Sequence, residues 1–111
     1  PHDSVKADVL SQELQEPARP LVVDVRPADM FADAHIAGSV NIPQDDLPQR
    51  AGELPSDRDA PIVMVCGIGK FSKHATLYLK SKGYRRVRSM KGGLNEWVRK
   101  GHATDSAVGT P

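Results

Sequence analysis

The apolar positions fall into short β-branched runs separated by polar stretches of helical spacing. Leu21-Val22-Val23-Asp24-Val25 and Ile62-Val63-Met64-Val65 are almost continuously hydrophobic, and Arg86 to Met90 alternates. Runs of four to five Val- and Ile-rich residues bounded by proline, glycine or charge read as buried strands. A shorter strand is predicted from Ser39 to Ile42, stopped by Pro43. Between the strands the period lengthens to that of helices. Ser4 is placed as the cap of a helix carrying Val5, Val9, Leu10 and Leu14, ended by Pro17 to Pro20. A small helix opens at Pro27 and runs through Met30 and Phe31, and a weak one covers Asp45 to Ala51. The spacing predicts a longer helix from near Lys70 to Lys82, with Gly83 as its C-cap, and a last helix from Leu94 to Lys100. Strands alternating with helices predict an α/β fold whose central, mainly parallel sheet carries helices on both faces. Residues 1–101 are read as one domain. From His102 the periodicity is lost, and 102–111 are expected to form a flexible C-terminal tail.

Composition narrows the function classes. With 111 residues the chain can bury a core without disulfides or metal, and its single cysteine excludes an intrachain disulfide. Fifteen basic and fourteen acidic residues give a formal charge of +1, so no global field draws nucleic acid or membrane. The densest basic cluster, Arg85-Arg86-Val87-Arg88, reads as a solvated face. No apolar stretch approaches the ~20 residues that span a bilayer. A cytoplasmic monomer is the default expectation. Because the first residue is Pro1, an excised domain and a processed product both stay open. One Cys and four scattered His supply no metal-ligand cluster, and no cofactor is expected.

The candidate chemistry sits at Cys66, at the end of the second apolar run and before the longer helix. In a parallel α/β sheet, ligands bind outside the carboxyl ends of the strands, which is where Cys66 falls. Gly67 and Gly69 let the following backbone curl, so that N–H groups of Gly67, Ile68, Gly69, Lys70, Phe71 and Ser72 can converge on the sulfur. Turn amides, the positive end of the helix and the Lys70 ammonium each lower a thiol pKa, which ordinarily leaves only a few per cent thiolate at pH 7. Ser72 either donates a hydrogen bond or caps the helix. An inert buried cysteine is the competing reading, and the positively polarised loop argues against it.

Three segments together resemble the rhodanese domain family of sulfurtransferases. Asp24-Val25-Arg26 followed by Phe31, His35-Ile36-Ala37-Gly38 and Asn41-Ile42-Pro43 is similar to the family's amino-terminal signature. The Cys66 loop comes second. Gly92-Gly93-Leu94-Asn95-Glu96-Trp97 matches the carboxy-terminal G-G-x-x-x-W, and the three occur in the family's order. The resemblance implies that Cys66 takes a sulfane sulfur from thiosulfate or a persulfide donor, becomes a persulfide, and yields the sulfur to cyanide, a thiol or a protein. It implies supporting roles for Asp24, Arg26 and His35, and a packing role for Trp97. The chain departs from the pattern at three places. Phe71 stands where many loops carry an arginine five positions after the cysteine, Met30 replaces an acidic residue, and Ala34 replaces a glycine. With Met30 there, Asp29 or Asp33 is expected to partner Arg26.

Rival readings fail on spacing. The phosphatases of the same fold place an arginine six positions after the cysteine, where this chain has Ser72, so phosphate finds no guanidinium fork. A P-loop needs Ser or Thr directly after Gly-Lys, and Phe71 occupies that place. The remaining alternative is a non-enzymatic rhodanese-like binding or sulfur-sensing module, which the retained Cys66 disfavours.

Overall fold

The computed structural model describes residues 3–107. In chain order the elements are β1 (Ser4–Val5), α1 (Ala7–Glu13), β2 (Leu21–Asp24), α2 (Ala28–Asp33), β3 (Val40–Asn41), α3 (Leu47–Arg50), β4 (Ile62–Val65), α4 (Phe71–Ser81), β5 (Val87–Met90) and α5 (Gly93–Arg99), with short 3-10 turns flanking α3. The strands form one sheet in the order β1-β5-β4-β2-β3. Every pairing is parallel. β4 lies at the centre, in register with Leu21–Asp24 on one side and with Val87–Ser89 on the other. It is buried along its whole length.

The two-residue period of the strands sorts their side chains into two cores. Ile62, Met64 and Cys66 face one side, with Val23, Val87 and the α4 residues Ala75 and Leu79. Val63 and Val65 face the other, with Val22, Met90, Leu10 of α1, and Leu94 and Trp97 of α5. The same parity points Cys66 at α4 rather than at α5. Its position one residue beyond β4 places it at the carboxyl edge of the sheet.

Two regions differ from the sequence expectation. Ser4 is not a helix cap: it pairs with Ser89 in β1, and α1 begins after Lys6 with no side-chain cap. Two residues are too few to show a strand period, and only the β5 edge, remote in sequence, makes them one. Val9, expected on the buried face of α1, is exposed. The segment set aside as a tail from His102 is tied to the body as far as Ala107. His35 and Asp105 exchange backbone hydrogen bonds of 3.0 and 2.8 Å, and Ala107 N–H donates to Ala32. The Trp97 indole donates to the Ala103 carbonyl at 2.9 Å, and its ring meets His102. These contacts are partner-specific and follow no local periodicity. Residues 108–111 lie outside the described residues. Among the described residues no helix is long and apolar enough to cross a membrane.

Candidate active site

The loop from Cys66 to Lys70 is shaped by glycine at two places. Gly69 has φ +92°, and a Cβ there would come within 2.9 Å of the Gly92 nitrogen. Gly93 has φ +60°, and a Cβ there would sit 2.4 Å from the Cys66 carbonyl oxygen. The backbone at both sites is both left-handed and crowded, which only glycine tolerates. The close approach lets Leu94 N–H donate to the Cys66 carbonyl at 2.8 Å and Asn95 N–H to the Gly67 carbonyl at 3.0 Å. The start of α5 therefore clamps the nucleophile loop from behind. Gly92-Gly93 is a positioning element for Cys66.

Cys66 is 1% exposed and part of the α4-side core, yet its sulfur also meets hydrogen-bonding groups. Gly69 N–H donates to Sγ at 3.0 Å. The thiol and the Ser72 hydroxyl oxygen lie 3.4 Å apart, a bond the thiol donates and the hydroxyl donates once the sulfur is ionised. Ser72 is itself held by the Ser89 hydroxyl at 2.7 Å and lies in the first turn of α4, after the N-cap residue Lys70. Burial, the largest single influence, pushes the Cys66 thiol up. Hydrogen bonds from the Ser72 hydroxyl and from the N–H groups of Ser72, Gly69 and Ile68 together outweigh it, so the thiol lies below its ordinary range. Ser72 thus serves the sulfur directly. Ser89 was not foreseen; its signal is a hydroxyl placed on the inward parity of β5 opposite Met64.

Cys66 and Gly67 open into a cavity of about 500 Å³. Its apolar wall consists of Val25, Pro27, Met30, Pro43, Ile68 and Phe71. Phe71 and Ile68 are exposed at its rim, so Phe71 is not a core residue. The polar lining is Gln44, Asp45, Asp46 and Arg26. Arg26 brings no free charge. Its guanidinium bonds Asp24 through Nε and Nη2, the shortest at 2.7 Å, and Nη2 also donates to the Ala34 carbonyl at 2.6 Å. Asp24, not Asp29 or Asp33, is its partner, because both side chains are buried beside β2 and each neutralises the other. Asn41 Nδ2 donates to the Asp24 and Arg26 carbonyls, completing a brace that sets the β2–α2 wall. His35 stands farther out, stacked on Phe31 with Nδ1 2.7 Å from its carbonyl oxygen, and does not line the cavity.

Lys70 departs from expectation. Although it is four residues from Cys66, it lines a different cavity of about 600 Å³ on the other side of the loop, with Lys73, Lys91, Ser4 and Ser89. The groups that lower the Cys66 pKa are hydroxyl and amide hydrogens, and the Lys70 ammonium is not among them. The basic cluster near β5 is partly spent: Arg88 pairs with Glu13 at 2.6 Å and Arg85 with Asp59 at 2.6 Å.

Comparison with known proteins agrees with this architecture. The rhodanese-like domain model matches residues 6–100. A sulfurtransferase of Allochromatium vinosum is 34% identical over 99 residues, covering 89% of this chain and 91% of that protein. The thiosulfate sulfurtransferase GlpE of Pseudomonas fluorescens Pf0-1 is 41% identical over 90 residues, covering 81% of this chain and 80% of that protein. The crystal structure of the Alr3790 protein from Anabaena sp. superposes with a TM-score of 0.85 at 30% identity, covering 94% of this chain and 83% of that one. A nucleophile loop at the carboxyl edge of an all-parallel sheet, and likeness along nearly the whole chain, lead to one conclusion: this chain belongs to the rhodanese-like domain family and is a sulfurtransferase.

Proposed function

We propose that Cys66 is the nucleophile that carries the sulfur. The observation that supports this most directly is the convergence of Gly69 N–H and the Ser72 hydroxyl on Sγ. In the first step the thiolate attacks the outer sulfur of a sulfane donor. A Cys66 S–S bond forms, the donor's bond to that sulfur breaks, and its electron pair leaves with sulfite when the donor is thiosulfate or with a thiolate when it is an organic persulfide. The resulting persulfide keeps one negative charge. The N–H groups of Ile68, Gly69 and Ser72, which already act on Sγ, stabilise it without rearrangement during reaction. In the second step cyanide, a thiol or a protein nucleophile attacks the terminal sulfur, the S–S bond breaks, and the electron pair returns to Sγ. The chain has one cysteine, so the resolving nucleophile comes from outside.

The test is mass analysis of the intact protein after incubation with thiosulfate or a persulfide. One added sulfur, removable by cyanide or dithiothreitol and absent from Cys66→Ser, is the expected result. Failure of every sulfane donor to add sulfur to reduced Cys66 would instead support a binding or sensing module.

A further inference from the structure

The Cys66 cavity is far roomier than a thiosulfate ion requires, lying instead in the range that encloses organic ligands. Its rim is apolar where Met30, Ile68 and Phe71 stand 48%, 60% and 59% exposed. Among the described residues, the unspent charges of its lining are negative. Asp45 and Asp46 line it, while Arg26, the one cation among the described lining residues, is committed to Asp24 and Ala34. Arg50 lies near Asp46, but its guanidinium is bound to Glu53 at 2.7 Å and to the Asn41 carbonyl. The free lysines nearest in sequence, Lys70 and Lys73, line the opposite cavity. A dianion approaching Cys66 therefore meets two carboxylates and a thiolate, opposed by loop amides and the Ser72 hydroxyl rather than by a cation, and leaves the apolar rim unfilled.

We infer that this cavity selects a sulfane donor whose carrier group is hydrophobic and bears at most one negative charge, and that it discriminates against thiosulfate. Asp45, Asp46 and Phe71 are the residues that set the preference. The inference rests on Cys66 being the sulfur carrier. The carrier group fills the space between Phe71 and Met30 and excludes water from the reacting sulfurs. The chemistry is otherwise unchanged: with benzenethiosulfonate, the thiolate forms a bond to the terminal sulfur, the carbon-bearing sulfur departs as benzenesulfinate, and the persulfide remains on Cys66.

The experiment measures kcat/KM for thiosulfate and for benzenethiosulfonate, with cyanide as acceptor, in the wild type, in Asp45→Asn/Asp46→Asn and in Phe71→Ala, at low and raised salt. Benzenethiosulfonate should be favoured by about tenfold or more, the scale of partly burying one aromatic ring. Removing the carboxylates should raise the thiosulfate value by roughly two- to fivefold per charge, the size of a solvent-screened charge contact. Phe71→Ala should lower the benzenethiosulfonate value by a larger factor than the thiosulfate value. Added salt should speed the thiosulfate reaction, because it screens repulsion. A thiosulfate rate that falls with salt, or that ignores the loss of both carboxylates, would overturn the inference while leaving sulfur transfer intact. If neither donor places a sulfur on Cys66 by intact mass, sulfur transfer itself fails and the inference falls with it.

Discussion

The loop that carries Cys66 separates two cavities of similar size and opposite character. In front of it, about 500 Å³ is enclosed by apolar side chains and two aspartates. Behind it, about 600 Å³ is lined by Lys70, Lys73 and Lys91. Ile68 borders both. Lys70 and Phe71 reach different cavities although adjacent, because they stand at the start of α4, where consecutive helical residues project about 100° apart. Closeness in sequence to a nucleophile is therefore a poor guide to which charges a reagent meets on its way in. What reaches the sulfur from the loop itself is amide and hydroxyl hydrogen, which stabilises a thiolate without adding a cation to the mouth of the site.

That contrast can be broken most decisively at the sulfur. Cys66→Ser should abolish both the sulfur adduct and turnover while the circular-dichroism spectrum and melting temperature stay near wild type, since a hydroxyl is scarcely ionised at neutral pH. Retained turnover would mean that the front cavity is not where chemistry occurs. Gly93→Ala comes next. Its new Cβ would press on the Cys66 carbonyl oxygen and the Gly67 backbone, and its left-handed backbone is strained for alanine. A loss of about 1–3 kcal/mol is expected, visible as a melting temperature several degrees lower, together with a reduced kcat/KM from a displaced loop. An unchanged variant would show that the α5 clamp does not set the loop.

Ser72→Ala has a smaller, directional effect. Its hydroxyl favours the thiolate, so removing it raises the Cys66 pKa and moves the acid limb of the pH–rate profile to higher pH. Activity at neutral pH should fall, by about tenfold for each unit of displacement. Ser89→Ala, which leaves the direct Ser72 contact in place, should move the limb less; an equal displacement would mean that the two hydroxyls act as one unit. The smallest effect is expected behind the loop. Lys70→Ala and Lys91→Ala should change the thiosulfate KM by less than about twofold, the range of exposed charges. A large rise would mean that the lysines steer the donor, and the distinction between the two cavities would lose its functional meaning.

Much of the scaffold was legible because it rests on local pattern. The β-branched runs of β2 and β4 are continuous because helices cover the sheet on both faces, and α4 ends at Ser81 with Lys82 as its C-cap, just before Gly83. β1 was not legible, since two residues gain strand character only from the edge of β5. The contacts of segment 102–107 were not legible for a related reason: they are made with His35, Ala32 and Trp97 and follow no period of their own. At the site, the glycine spacing could suggest the curl that brings the Gly69 amide onto the Cys66 sulfur. The partner of Arg26 could not, because Met30 at the expected acidic position says nothing about which buried carboxylate the guanidinium will reach.

The sequence alone determined that strands and helices alternate, that the only thiol stands at a strand end, and that a curled loop follows it. These are consequences of periodicity and backbone freedom, which act over a few residues. Tertiary packing decided the rest: that Ser89 supports Ser72, that α5 holds the loop from behind, and that the cavity over the sulfur is apolar and acidic while the lysines lie elsewhere. Those outcomes depend on which elements meet across the sheet, and chain neighbours carry no record of that.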